Sequence, residues 1–297
     1  MALYITNIAS LQARRALTNA TNDVNTAMLR LATGFRINSA KDDPAGLQIS
    51  NRMTSEINGL YQANRNSSDG LAFAQTAEGA LDEIVNMLQD IRTKAVQASN
   101  GTYTADDREA IQKEVDQLSA EVTRIAEQTK YGGQTILLGD QSTMYEGTGI
   151  LTLQVGAYAG DTIDIDMTQS FTLAELDAAS VADGGTTILN AEGNIDVSTV
   201  DAAQNTLGNI DKLIQVVDSK RGELGASQVR LESIIRNGQN MITNLSDARS
   251  RIRDADYAEE TANLMNAMIR QQASVAMLLQ ANAQSNMILQ LINASMI

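Results

Sequence analysis

The feature that most constrains this chain is one unbroken register of apolar residues in its second half. Val200, Ala203, Leu207, Ile210, Ile214, Val217, Leu224, Leu231, Ile235, Ile242, Leu245 and Ile252 recur at steps of three and four or their sum. Arg221, Gln228, Gly238 and Arg249 fill the places in that register where an apolar residue is missing. The spacing predicts a single helix of about 50 residues, roughly 75 Å long at 1.5 Å per residue. Ser198, with Asp201 three positions later, is its expected start. Ordinary globular helices are far shorter. A heptad sustained over this length requires coiled-coil packing, and therefore partners of comparable length.

Two such partners are legible in the first half. Between about Ala45 and Ser99, Met53, Ile57, Leu60, Leu71, Ala74, Leu81, Leu88, Ile91 and Ala95 keep a three-four spacing. Gly59, Gly70 and Gly79 interrupt it, each at a cost of about 1 kcal/mol relative to Ala, so they mark close packing or a bend. Asn100-Gly101 ends this segment. Thr104, followed by Asp106 and Asp107, caps a second helix that carries Ile111, Val115, Leu118, Val122 and Ile125. Tyr131-Gly132-Gly133 is expected to close it.

From about Gln134 the period changes to two. Leu151, Leu153 and Val155 alternate with polar residues, as do Ile163, Ile165 and Met167, and the stretch from Gly156 to Asp161 lies between. This predicts a β-hairpin within about 134–167. Residues 168–197 show weak periodicity and many small polar side chains, and read as an exposed connection.

The termini are apolar at helical spacing, where chain ends are normally polar and frayed. Leu17, Val24 and Leu31 recur every seven residues, interleaved with Ala13, Ala20 and Ala27. Leu264, Met268, Val275, Leu278, Leu279, Leu289 and Ile292 mark a comparable stripe at the other end. Such helices need partners: each other within one domain, or further copies of the chain. The fold class is thus mainly α: a long antiparallel helical bundle or coiled coil with a small β-hairpin region, plus paired terminal helices.

Composition excludes several functions. The chain has no His, no Cys and no Trp, so there is no Ser-His-Asp triad, no Cys nucleophile and no ordinary zinc site. A net charge of -14 disfavours nucleic acid and anionic membranes. No run of 18 or more apolar residues is present to span a bilayer. The N-terminus places its arginines after its apolar residues, unlike a cleaved secretory signal.

The remaining polar clusters have structural readings. Lys41-Asp42-Asp43-Pro44 contains the only proline, and Asp followed by Pro is a helix start: Asp at the N-cap, Pro at the first helical position. Asp164 to Glu175 brushes a calcium-loop pattern but has Gln169 where that loop needs glycine. It reads as the solvated face of a strand. Arg249, Arg251 and Arg253 stand among acids and read as local ion pairs.

The motifs LATGFRINSAKDDPAG, NRNSSDGLAFAQTAEGAL and QTKYGGQTILLG in the first half, and LGASQVRLES, ITNLSDARSRIRDADYAEE and QQASVAMLLQAN in the second, resemble those of bacterial flagellins, the subunits of the flagellar filament. The resemblance covers roughly residues 1–167 and 198–290. It implies three regions. Residues 1–42 and 254–297 form an inner, channel-lining coiled coil. Residues 43–167 and 198–253 form a rod-like bundle. Residues 168–197 form a short outward-facing variable connection, giving a near-minimal member of the family.

The resemblance further implies polymerisation through terminal-helix residues Leu17, Val24, Leu31, Leu264, Met268, Val275, Leu278 and Leu289. It puts a helix break or connector at Asp42, Asp43, Pro44, Arg253 and Asp254. It implies an extracellular, non-enzymatic protein without cofactors, exported unfolded by a type III-like route. Its partners would be copies of itself, other flagellins, cap and hook-junction proteins, and an export chaperone on the C-terminal helix. A rod surface of Leu88, Gln89, Asp90, Arg92, Lys94, Ile111 and Glu114 corresponds to the family's innate-receptor face. Asp90 and Lys94 depart from the pattern, one reversing a charge and one losing an apolar contact, which implies weak recognition. A hook-filament junction protein, a zinc protease and a free coiled-coil adaptor are the competing readings. The hairpin and rod motifs oppose the first, zero His the second, and the paired apolar ends the third.

Overall fold

The computed structural model describes residues 6–145, 147–182 and 184–295, with side chains described as far as residue 284. Its helices are α1 (Ile8–Thr33), α2 (Pro44–Ala98), α3 (Ala105–Gln128), α4 (Leu173–Ala182), α5 (Val200–Arg253) and α6 (Tyr257–Ser295). Its strands are β1 (Lys130–Tyr131), β2 (Gln134–Thr135), β3 (Ile150–Gln154) and β4 (Thr162–Asp166). The chain divides into two compact units, Ile57–Ile242 and the combination of Met1–Glu56 with Thr243–Ile297. The mainly α class with a small β region is as expected from the sequence.

In the unit Ile57–Ile242 the apolar register becomes one continuous core. Leu81, Ile84, Leu88 and Ile91 of α2, Val115 and Val122 of α3, and Ile210, Leu213, Val217, Leu224 and Leu231 of α5 are all buried in it. Burying each large apolar side chain contributes about 1.5–3 kcal/mol, and this dominates the unit's stability. Arg221–Asp82 at 2.7 Å and Arg92–Asp211 at 2.8 Å set α2 and α5 antiparallel. These exposed pairs fix register more than they stabilise.

Two of the three glycines that interrupt the apolar register of α2 now have a reason. Gly59 and Gly70 are eleven residues apart, about three turns, and share one face of the helix. The β3–β4 hairpin lies on that face. A Cβ at Gly70 would collide with Cδ1 of Leu153, and one at Gly59 would stand 2.9 Å from Cβ of Ala157. Between them, Asn66 Nδ2 donates to the Gln154 carbonyl at 2.9 Å. Gly79 faces open space and marks no contact.

Four local expectations are corrected. Residues 168–197 are not an exposed connection. They form α4 and bury Phe171, Leu173, Leu176, Ile188, Ile195 and Val197 in the common core. Asp177, also buried, accepts hydrogen bonds from Thr187 Oγ1 at 2.6 Å and Ile188 N at 3.2 Å, which organises the chain after α4. Tyr131-Gly132-Gly133 does not close α3, which ends at Gln128; the two glycines, at φ of 60° and 87°, turn β1 into β2. The cap of α5 is Thr199, whose Oγ1 accepts from Ala202 N at 3.1 Å, while Ser198 bonds Asp196. The β region holds two antiparallel hairpins, β1–β2 and β3–β4.

Candidate functional site

The two breaks in the helical order belong to the other unit, and they are clasped to each other. Gly34 ends α1 in the left-handed region at φ 74°. Phe35 then pairs with Asp254 in an antiparallel bridge. Arg36 N donates to the Arg253 carbonyl at 2.7 Å, and Ala255 N donates to the Gly34 carbonyl at 2.9 Å. The Arg253 guanidinium lies 4.3 Å over the Phe35 ring, a cation–π contact. Asp254 is held by the Ser250 hydroxyl at 2.6 Å.

The aspartates beside Pro44 shape backbone. Asp42 Oδ2 accepts from Ser39 N at 2.9 Å, Asn38 N at 3.1 Å and Ser39 Oγ at 3.0 Å. Those backbone donors hold the Asp42 carboxyl below the usual Asp range. Asp43 Oδ1 accepts from Gly46 N at 3.0 Å and caps α2, which begins at Pro44. A Cβ at Gly46 would collide with Asp43 and would stand 2.8 Å from Cδ1 of Ile37, so this turn requires glycine. Among the described residues no group of three or more acids is placed to hold a metal. Asp164 is engaged by Thr152 Oγ1 at 2.7 Å across the hairpin, and Asp166 by Thr168 N at 2.9 Å. Arg251 pairs with Asp247 at 2.8 Å, and Arg249 donates to Thr54 Oγ1 at 3.3 Å.

The terminal helices α1 and α6 pair antiparallel along a seam of small residues. Ala20, Val24 and Ala27 of α1 and Ala267 and Ala281 of α6 are all buried. Leu17, Leu31, Leu264 and Leu278 are half-buried at the seam. A ladder of polar contacts sets the register. Ser10 Oγ reaches Asn282 Oδ1 at 2.9 Å, Gln271 Nε2 reaches Thr21 Oγ1 at 3.1 Å, Arg270 pairs with Asp23 at 3.2 Å, and Arg30 with Glu260 at 3.6 Å. Met268 and Val275, assigned from sequence to the same stripe, instead stand exposed on α6, 37% and 42% accessible. Leu11, Met28, Leu29, Met265, Ile269, Met277 and Leu279 are exposed as well, and sequence reasoning had put only Leu279 among the stripe residues. Met265, Met268, Val275 and Leu279 keep a second three-four register beside the seam, and spacing alone does not mark which of the two registers is buried. Leu289 and Ile292 lie outside the residues whose side chains are described.

The candidate receptor face is only partly a surface. Leu88 is fully buried and Ile111 is 6% accessible, so neither is presented; both belong to the core. Gln89, Asp90, Arg92 and Glu114 are exposed. Lys94 is turned to Glu114 at 2.7 Å and Arg92 to Asp211.

One unit thus holds a clasped pair of terminal helices, and the other a core enclosed by three long helices. Residues 5–142 match the bacterial flagellin N-terminal helical region, and residues 207–292 match the bacterial flagellin C-terminal helical region. The chain is 41% identical to a flagellin of Halalkalibacterium halodurans over 96% of its own length and 98% of that protein's. It is 34% identical to Flagellin A of Vibrio cholerae, covering 95% of this chain and 97% of that one. Among solved structures, a flagellar hook-associated protein from Vibrio parahaemolyticus shares the fold at a TM-score of 0.56 and 15% identity, over 72% of this chain and all of that one. The chain belongs to the bacterial flagellin family. It is a structural subunit of the flagellar filament, a self-assembling homo-oligomer serving motility, and not an enzyme.

Proposed function

We propose that the terminal pair is the part of the chain that makes the polymer and that it becomes ordered only on assembly. One observation carries this reading: α1 and α6 meet largely through alanines, with Val24 and four half-buried leucines, while Leu11, Met28, Leu29, Met265, Ile269, Met277 and Leu279 face outward. An alanine seam returns little apolar burial against roughly 1–2 kcal/mol of backbone entropy per ordered residue. Burial against neighbouring copies supplies the difference. In this reading 1–42 and 254–297 form the inner, channel-lining coil, and 43–253 the rod, with 168–197 as part of the rod's core. The Asp42-Asp43-Pro44 turn and the Arg253-Asp254 turn are the paired connectors between them.

The same exposed apolar surface accounts for export as an unfolded chain, held by a chaperone on α6 until subunits add at the filament tip outside the cell. Filament cap, hook-junction proteins and other flagellins would meet the same ends. Innate-receptor signalling is expected to be weak, because Asp90 and the Glu114-paired Lys94 alter the rod face. Full potency in a reporter-cell assay would refute that part.

The test is seeded assembly of purified chain beside a version lacking residues 1–40 and 257–297, with filaments counted by electron microscopy. Long filaments from the intact chain and none from the truncated one are expected. Filaments from the truncated chain would refute the assignment of assembly to the ends.

A further inference from the structure

The two flanks of the α1–α6 pair differ in relief. On one flank lies a groove of about 720 Å³. Alanines line much of it, Ala9, Ala13, Ala16 and Ala20 of α1 with Ala273 and Ala281 of α6, between the polar side chains of Gln12, Asn19, Ser274, Gln280 and Gln284. Met277 stands on its rim, and the Asp23–Arg270 ion pair closes one end. On the other flank stands a ridge. Met265, Met268, Val275 and Leu279 are exposed and lie one above another at three-four spacing or its sum. At about 100° of rotation per residue, the groove residues of α6 centre about 100° to one side of its seam, and the ridge about 100° to the other.

Three properties match the surfaces to each other. Groove and ridge each run over fourteen residue steps of α6, about 21 Å at 1.5 Å per residue. The ridge carries large unbranched and branched apolar side chains, and the groove floor carries side chains that leave room for them, the geometry of ridges-into-grooves packing. The only charged residue between Met265 and Leu279 is Arg270, which faces the groove and is already paired. Burying the ridge therefore strands no charge.

We propose that the ridge of one copy seats in the groove of the next. This rests on the reading that the terminal pair makes the polymer, and it names the surfaces that do so. Because groove and ridge sit on opposite flanks of one pair, the contact is heterologous. Each copy offers a groove to one neighbour and a ridge to another, so growth continues as an open helix when the rotation from copy to copy does not close a ring. A self-complementary patch would close into a dimer instead.

The chain's lack of cysteine makes the test direct. Copies carrying Ala9→Cys or Ala16→Cys are mixed with mass-tagged copies carrying Met268→Cys or Val275→Cys, assembled on unmodified seeds, and oxidised. A disulfide forms only where Cα atoms come within about 7 Å. The expected result is heterotypic dimer from filaments and none from the soluble mixture. As a second variant, Val275→Asp should abolish filament growth and Val275→Leu should retain it, with the helical circular dichroism of the monomer unchanged in both. Filaments that form normally but yield no heterotypic dimer from any pair, or that grow with Val275→Asp, overturn the groove-and-ridge proposal and leave the assembly reading standing. Failure of the unmodified chain to grow on the same seeds overturns both.

Discussion

The two units of this chain are built from the same element, the long amphipathic helix, and reach opposite outcomes. In Ile57–Ile242 the fully buried set includes Phe73, Leu81, Ile84, Leu88, Ile91, Val122, Phe171 and Leu213, from three long helices and the segment around α4. Its outward face is mostly polar. In α1 and α6 the buried apolar set is Ala20, Val24, Ala27, Ala267 and Ala281; Leu17, Leu31, Leu264 and Leu278 are half-buried, and Leu11, Met28, Leu29, Met265, Ile269, Met277 and Leu279 are outside. The difference lies in how many helices meet. Three helices enclose a core that a Leu can fill. Two helices enclose only a seam, which buries alanines and Val24, half-buries four leucines and leaves the other large apolar residues exposed. One unit buries its large apolar side chains within itself; the other leaves many of them exposed.

The contrast can be broken first by truncating one leucine in each unit. Leu88→Ala removes a fully buried side chain and should cost about 2–5 kcal/mol in urea unfolding followed by circular dichroism. Leu17→Ala, half-buried at the seam, should leave the monomer's main unfolding transition unmoved. Equal losses would show that the terminal pair contributes to monomer stability as the core does.

The glycines of α2 sharpen the packing account on a smaller scale. Gly70→Ala drives a methyl into Leu153 and should destabilise by about 1–3 kcal/mol. Gly79→Ala meets open space and should stabilise by about 1 kcal/mol through helix propensity. Opposite signs from the same substitution, read as melting shifts, are the expected result. A loss at both sites would mean that glycine serves α2 by flexibility and not by seating the hairpin.

The smallest effects are electrostatic, with one carboxylate in each unit. Asp42 is held low by backbone donors at Ser39 and Asn38, and Asp166 chiefly by the Thr168 backbone. A depressed native pKa means that the unfolded state binds the proton more tightly. Each group therefore contributes stability above the ordinary Asp value of 3.8, and that contribution is lost as the pH falls through the lower native value. Asp166→Asn should flatten the acid side of the unfolding curve of Ile57–Ile242. Asp42→Asn should leave that curve alone and shift only the amide resonances of Asn38 and Ser39. A flattened core curve with Asp42→Asn would contradict the separation.

Where the sequence was readable, the reason was periodicity sustained over many turns. The register from Val200 to Ile252 is α5 almost residue for residue, and Asp43-Pro44 starts α2 as cap chemistry requires. The segment 168–197 hid its structure because α4 has ten residues and its apolar positions, Leu173, Leu176 and several alanines, mark no single face. Much of its burial comes from Phe171, Ile188 and Val197, which are far apart in spacing and are held by separate bonds: Phe171 N to the Leu137 carbonyl, Ile188 N to Asp177 and Val197 N to Gln112 Oε1. At the termini the stripe was visible but its division was not. Sequence spacing cannot separate the seam residues Leu17 and Leu264 from the outward Met268 and Val275, because both registers repeat at three and four. The candidate receptor face failed in part for the converse reason. Leu88 and Ile111 were carried over by motif, and the core register that buries them runs through the same stretch.

The central claim is that the terminal pair becomes stably ordered only in the polymer. Hydrogen exchange read by mass spectrometry on monomer and on seeded filaments tests it most directly. The account predicts that amides of α1 and α6 exchange freely in the monomer and become protected in the filament, while α3 and the parts of α2 and α5 within Ile57–Ile242 are protected in both. Monomer protection of α1 and α6 equal to that of α5 would contradict it.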